Sequence, residues 1–232
     1  MMTARAMTML ASQKEAVFMA ESSHVTRLPV KDGYGVYTVS MRMIYFDYHG
    51  VLDHRGYRGM IKIMQETSGR PVDEIVPSLE PVTYAYASGQ TSPAAFWTLI
   101  AAKYGRKVAD AGKRYYLHVD PNRVVWELVN ELKGPYDLGL ATDSAIDKKQ
   151  VIRHGYDLPE FFDHLLFSCD VGQAKRDPGF YRLMTRGGMY QPDDILLIDD
   201  DERNTATATS LGIPSHTYTN IETLRQHLQD IT

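Results

Sequence analysis

Four places in the chain put polar side chains directly after short apolar runs. Asp47 ends the run Met43-Ile44-Tyr45-Phe46 and opens Asp47-Tyr48-His49-Gly50-Val51-Leu52. Thr142-Asp143-Ser144 follows Leu138-Gly139-Leu140-Ala141. Asp170, with Lys175 a few residues on, follows Leu165-Leu166-Phe167, and Asp199-Asp200-Asp201 follows Ile195-Leu196-Leu197-Ile198. Continuous apolar runs of this length suit strands buried on both faces, as in a parallel sheet. The carboxyl ends of parallel strands lie along one edge, where ligands bind. Clusters of carboxylates, the Thr142 hydroxyl and the Lys175 ammonium would then share one small volume.

That combination has a definite chemistry. Crowded carboxylates repel, and their pKa values rise unless a cation offsets them. Hard oxygen ligands at an open site favour Mg²⁺, which takes one or two protein carboxylates, waters and a substrate phosphate oxygen. Lys175 adds positive charge, and Thr142 with free N–H groups at a helix start could hold an anion. An aspartate is available as nucleophile.

The elements that must position these groups alternate from residue 43 onward. A weaker fifth strand is expected at 213–218. Parallel strands need crossovers, usually helical, and the gaps hold helical patterns. The clearest helix follows Asp120, a plausible N-cap, with Pro121 at the first helical position. Val125, Leu128, Val129 and Leu132 recur at helical spacing, and Gly134 suits the stop. Another helix is expected from Asp201 through Ala206 and Ala208 to Gly212, and a last one over 221–228. Between the first strand and Asp120 no good strand is found; 57–67, 72–76, 93–104 and 108–116 read as helices. An insertion of this length is too long for a loop and suits a small cap subdomain. The expected organisation is a core of 41–53 with 118–232, and a cap of 54–117. Residues 1–40, rich in methionine and without sustained periodicity, read as a disordered extension, since Met41 or Met43 could begin a complete domain.

The chain has 232 residues, enough for one sizeable α/β domain with a small insertion. Its net charge of -4 gives no electrostatic case for nucleic-acid binding. No apolar run approaches the roughly 18 residues needed to span a bilayer, so no membrane partner is expected. A lone cysteine, Cys169, cannot form an internal disulfide, which fits a reducing, cytoplasmic compartment.

The four segments, in this order and each at a strand end, resemble the motifs of the haloacid dehalogenase (HAD) superfamily. Asp47 to Leu52 correspond to the first, Thr142 to the second, Lys175 with Pro178 to the third, and Asp199-Asp200 with Asn204 and Gly212 to the fourth. The helical insertion resembles that superfamily's C1 cap (subfamily I type). Ser92-Pro93 with Phe96-Trp97 resembles the subgroup that includes the phosphatase-like N-terminal domain of epoxide hydrolases. The resemblance implies a Rossmann-like three-layer fold and a Mg²⁺-dependent phosphatase of a small phosphorylated metabolite. Asp47 would attack phosphorus. Asp47, the backbone carbonyl of His49 and Asp200 would bind Mg²⁺, with Asp199 helping directly or through water. Thr142, the Asp143 N–H and Lys175 would hold the phosphoryl group, and Tyr48 would face the substrate as a specificity residue.

His49 departs from the pattern, because the family's phosphatases commonly carry an aspartate there as general acid and base. Histidine can transfer protons near neutral pH, so His49 is a candidate replacement. The alternatives are a site suited to good leaving groups, a haloacid dehalogenase-type hydrolase that needs no metal, and an inactive interaction module. Some residues have plainer readings. Asp201 is expected to start a helix, Asn204 to be structural, and Cys169 to be a small buried side chain. His54, His118, His154 and His164 show no metal-ligand spacing, and Tyr84 and Tyr86 suit either the cap lining or its core.

Overall fold

The computed structural model describes residues 41–231, so the expected extension over residues 1–40 lies outside the described residues. Five strands form one parallel sheet in the order β3-β2-β1-β4-β5. They are β1 (Met43–Phe46), β2 (Asp137–Thr142), β3 (His164–Phe167), β4 (Ile195–Asp199) and β5 (Ser215–Thr217). Every apolar run read from the sequence becomes a strand. β2 and β4 each reach one residue further than expected, so that Thr142 and Asp199 are themselves strand residues. β5 is shorter than expected, because the Ile213 N–H bonds Ala208 O and closes the preceding helix instead.

β1 is central, with Tyr45 beside Gly139 of β2 and Leu197 of β4. All four of its residues are buried, which explains their unbroken apolar character. Four helices separate β1 from the next core elements: α1 (Tyr57–Ser68), α2 (Val72–Ala87), α3 (Pro93–Tyr104) and α4 (Arg106–Leu117). The crossovers are α5 (Arg123–Leu132) before β2, then α6 (Ile146–Gly155) and α7 (Leu158–Phe161) before β3. α8 (Ser168–Val171) and α9 (Pro178–Met184) precede β4, α10 (Glu202–Ser210) precedes β5, and α11 (Ile221–Ile231) ends the chain.

Alternate residues of each strand point to opposite faces. Ile44 and Phe46 pack with Val125 and Val129 of α5, Ile152 of α6 and Leu224 of α11. Met43 and Tyr45 pack with Phe180 and Met184 of α9 and Ala208 of α10. The result is a three-layer α/β sandwich. The helical insertion has its own apolar cluster, built from Met60, Met64, Ile75, Leu79, Phe96, Trp97, Ile100 and Val108, joined by Ala145 from the core.

Two expectations are corrected. α2 was expected to end near residue 76 but continues to Ala87 through Pro77 and Pro81. Each proline removes a helical hydrogen bond, but Ile75 and Leu79 are fully buried and Tyr86 nearly so, and that packing outweighs the local penalty. Asp120 and Pro121 do not start α5. Asn122 flanks its first turn, with its N–H on Leu52 O at 2.9 Å and its side chain on Val51 O at 2.9 Å. The Asp120 N–H donates to Asp53 Oδ2 at 2.8 Å. The segment therefore serves to pin the loop that follows β1. Asp201 does cap α10, accepting from the Arg203 N–H at 3.0 Å.

The crossing of β1 and β2 gives a stability prediction. A Cβ on Gly139 would lie 2.3 Å from two carbons of the buried Tyr45 ring. Gly139→Ala should destabilise the fold by about 1–3 kcal/mol, the usual cost of overpacking. A urea midpoint unchanged from the wild-type value would refute this account of the central pairing.

Candidate active site

Asp47 extends β1 by one ladder bond, its N–H donating to Ile198 O at 2.8 Å. Its Oδ1 accepts from the Tyr48 N–H at 2.6 Å and lies 2.9 Å from Lys175 Nζ. Lys175 is 1% exposed and also reaches Asp199 Oδ2 at 2.5 Å. Its backbone is held in turn by Asp143, whose two carboxylate oxygens accept the Lys175 N–H at 3.0 and 3.2 Å. Asp143 thus contributes its side chain, where the sequence suggested only its backbone. Pro178 opens α9 directly behind this loop.

Asp199 is saturated with protein donors. Beyond Lys175, it accepts the Asp201 N–H at 2.9 Å and the Asn204 side-chain amide at 3.0 and 3.2 Å. Asn204 is therefore structural, as expected. Asp200 accepts no hydrogen bond from the described residues. One oxygen each from Asp47, Asp199 and Asp200 fall within 4.8 Å of one another, the spacing of a possible metal site. Gly50, at φ +77°, packs directly under Asp200: an added Cβ would sit 2.3 Å from its Cγ. Only glycine meets both requirements of that turn. Gly50 and Asp200 also border an open cleft of about 660 Å³, together with Arg58, Asn122, Thr217 and Asn220.

The electrostatics follow from burial and crowding. Burial opposes the charge of Lys175, but Asp199, Asp47 and Asp143 outweigh it and hold the ammonium well above its ordinary range. Burial pushes Asp199 up, with Lys175 opposing. Burial, then Asp47 and Asp199, push Asp200 up to about 7. Burial also pushes Asp143 up to about 7, against the pull of Lys175. Four carboxyl groups face one ammonium, and Asp200 is left without a donor. A divalent cation at Asp47 and Asp200 fits this donor set, since it supplies the missing charge to hard oxygen ligands.

Thr142 is fully buried at the end of β2, and its hydroxyl lies 3.1 Å from Ser144 Oγ. His49 places Nδ1 3.0 Å from Arg55 O and Nε2 3.2 Å from Ser144 Oγ, with its ring stacked 5.9 Å from that of Tyr116. Burial, then the neighbouring Lys148, lower its pKa to about 4, so the ring is neutral. Both ring nitrogens have partners within the protein. Its backbone carbonyl remains the candidate ligand.

Two further expectations are overturned. Tyr48 does not face a substrate: it is fully buried, and its hydroxyl donates to Asp53 Oδ2 at 3.2 Å. Side chains on adjacent residues of an extended segment point opposite ways, so Asp47 in the site sends Tyr48 into the core. Asp170 stays outside, exposed and paired with Lys149 at 2.5 and 2.6 Å. Cys169 is half-buried, and its thiol is pushed up to about 11, chiefly by burial, which makes it a poor nucleophile. The sequence reading missed Ser144, Lys148 and Tyr116 as neighbours of His49. Ser144 had a signal, its place two residues after Thr142. Lys148 had none, since a lysine in a polar helix reads as solvated; here it is fully buried and donates to His118 O at 2.9 Å.

No protein-family model matches the chain. It is 30% identical over 76 residues to bifunctional epoxide hydrolase 2 of Sus scrofa, a match covering 33% of this chain and 14% of that protein. Among solved structures, a HAD family enzyme from Bacteroides thetaiotaomicron superposes with a TM-score of 0.65 at 20% identity, over 78% of this chain and 94% of that one. A predicted HAD-like family hydrolase from Porphyromonas gingivalis gives 0.65 at 23% identity, over 81% and 98%. The L-2-haloacid dehalogenase of Xanthobacter autotrophicus gives 0.54 at 16% identity, over 83% and 84%. The chain has the HAD fold.

The raised carboxyl groups predict a coupling between pH and cation binding. Their folded pKa values exceed the unfolded ones, so the folded state binds more protons between about pH 4 and 7. Stability without a cation should therefore fall as pH rises through that window. Added Mg²⁺ should restore it, raising Tm more at pH 8 than at pH 5, and Asp200→Asn should remove most of the Mg²⁺ effect. Equal Mg²⁺ shifts at both pH values, measured by scanning calorimetry, would count against a cation at Asp200.

Proposed function

We propose that this chain is a Mg²⁺-dependent phosphomonoester hydrolase of small metabolites, acting through an aspartyl-phosphate at Asp47. The observation that carries this reading is the pairing of Asp47 with Lys175 at 2.9 Å beside the unsatisfied carboxylate of Asp200. Asp47 is the nucleophile. Lys175 is held charged and offsets the negative charge of the nucleophile and the phosphoryl oxygens. The Thr142 hydroxyl and the Asp143 N–H hold those oxygens at the end of β2. Asp47, Asp200 and the His49 carbonyl would bind Mg²⁺, with Asp199 acting through water because its own oxygens are occupied. When bound, the metal supplies Lewis-acid stabilisation of charge on the transferring group. Catalysis on this plan is positioning and electrostatics. The lone cysteine suits a reducing, cytoplasmic setting, and no helix among the described residues is long and apolar enough to cross a membrane.

The likeness to the Bacteroides thetaiotaomicron enzyme supports this reading, since that protein has been solved in complex with magnesium and inorganic phosphate. The Xanthobacter autotrophicus dehalogenase has been solved with chloropropionic acid covalently bound. Attack on carbon on the same fold is the alternative. It gives no role to Asp200, which has no hydrogen-bond donor among the described residues, and this weighs for phosphoryl transfer. A buried ion group of this kind is costly to keep without a function, which weighs against a purely structural module.

The test is release of phosphate from p-nitrophenyl phosphate and a phosphometabolite panel. Activity should require Mg²⁺, vanish in EDTA and fall to background in Asp47→Asn. Lys175→Met should lower kcat by about 10²–10³-fold, the scale of removing one preorganised charge-stabilising group. Turnover that survives EDTA or Asp47→Asn rejects the proposal.

A further inference from the structure

We propose that Arg58 is a specificity residue that binds a carboxylate of the substrate, so that the preferred substrates are small phosphate esters that also carry that group. The inference rests on the phosphatase reading, whose reacting groups are covered: Asp47 is 6% exposed, Lys175 1% and Thr142 not at all. On the side of the helical insertion, Tyr116 stacks on His49. The open cleft of about 660 Å³ reaches the same site from another side. It borders Asp200, one oxygen of which lies within 4.8 Å of one from Asp47. A cleft of this size holds a small metabolite. The part of an ester that does not react can therefore extend past Asp200 into it.

Arg58 is the one permanent cation of the cleft lining. Its guanidinium makes no hydrogen bond or ion pair among the described residues. Three other arginines of this region are engaged: Arg55 lies over the Tyr115 ring, Arg176 reaches Glu80 at 3.4 Å, and Arg203 pairs with Asp201 at 2.6 Å. Arg58 is instead exposed, in the first turn of α1, where the helix's own partial charge disfavours a cation. Neither a partner nor the helix stabilises the charge there. It stands close enough to Asp200 to oppose the burial and the Asp47 charge that raise that carboxyl.

The remaining charges of the lining select the anion. Glu202 and Glu222 stand in the first turns of α10 and α11, where each offsets the partial positive charge of its own helix. Beside them a second, dianionic phosphate would be repelled more than a singly charged carboxylate. A carboxylate also presents two oxygens to the planar guanidinium fork, which binds it bidentately.

Calorimetry on the full chain with Mg²⁺ tests this with phosphonates, which keep a P–C bond in place of the scissile P–O bond. 3-Phosphonopropionate should bind at least about tenfold tighter than propylphosphonate, the scale of one charged hydrogen-bonded pair. Arg58→Ala should remove that difference, and Arg58→Lys should keep part of it. In turnover, 3-phosphoglycerate should exceed glycerol 3-phosphate in kcat/KM. Arg58→Ala should raise KM for 3-phosphoglycerate by about 10–10²-fold with little change in kcat, the pattern of lost uniform binding. Phosphonates that bind the wild type equally, bind not at all, or keep their difference in Arg58→Ala overturn the proposal. Tightest binding by 3-aminopropylphosphonate also overturns it, and assigns the cleft to a cationic group facing Glu202 and Glu222. Phosphate release without a carboxylate preference overturns the role of Arg58 and leaves the phosphatase reading standing. An Arg58-dependent binding preference without phosphate release from any ester rejects the phosphatase reading instead.

Discussion

Lys175 is buried between Asp47 and Asp199, and most of the site is arranged around that placement. Moving an ammonium and a carboxylate out of water costs several kcal/mol per ion, even after relaxation. The cost is offset only if each charge has close partners in fixed positions. Lys175 has them because Asp143 grips its backbone N–H, while Asn204 and the Asp201 N–H orient Asp199 toward it. The groups come from β1, the ends of β2 and β4, and the loop after β3. They converge because β1 lies between β2 and β4.

The same crowding explains why Asp200 stands apart from its neighbour. Asp199 is fully engaged by protein donors and acts as the anchor of the ammonium. Asp200, one residue on, has no hydrogen-bond donor among the described residues and rests on Gly50 in the turn after β1. Adjacent carboxylates thus differ in their surroundings: one is engaged by a buried cation and protein donors, and the other has no such donor among the described residues. The loop carrying Gly50 is tied to the segment that follows the helical insertion by two buried residues: Asp53 accepts the Asp120 N–H, and the Asn122 side chain donates to Val51 O.

The insertion closes on this site through specific contacts. Tyr84 donates to Asp177 beside the Lys175 loop at 2.5 Å, and Tyr86 donates to Asp147 of α6 at 2.6 Å. Gly89, at φ +74°, packs so near Cys169 O that a Cβ would lie 2.8 Å away. His49 sits where these contacts meet, between Arg55 at the start of the insertion, Tyr116 at its end and Ser144 in the core. A histidine in that setting has both ring nitrogens and one ring face engaged within the protein.

The amino-acid sequence by itself determined the strands, their parallel arrangement and the identity of Asp47, Thr142, Lys175 and Asp200 as groups at one sheet edge. Short unbroken apolar runs bounded by polar residues suit buried strands of a covered sheet, and the residue that ends such a run lies at the strand's end. Only the tertiary structure decided which way the neighbouring side chains turn. Tyr48 and Asp170 follow strands too, yet one enters the core and the other meets Lys149 at the surface. The course of α2 through Pro77 and Pro81, the saturation of Asp199 and the capture of both His49 nitrogens likewise depend on partners far away in the chain. Periodicity records whether a position is buried; it carries no record of which distant donor or acceptor will be waiting there.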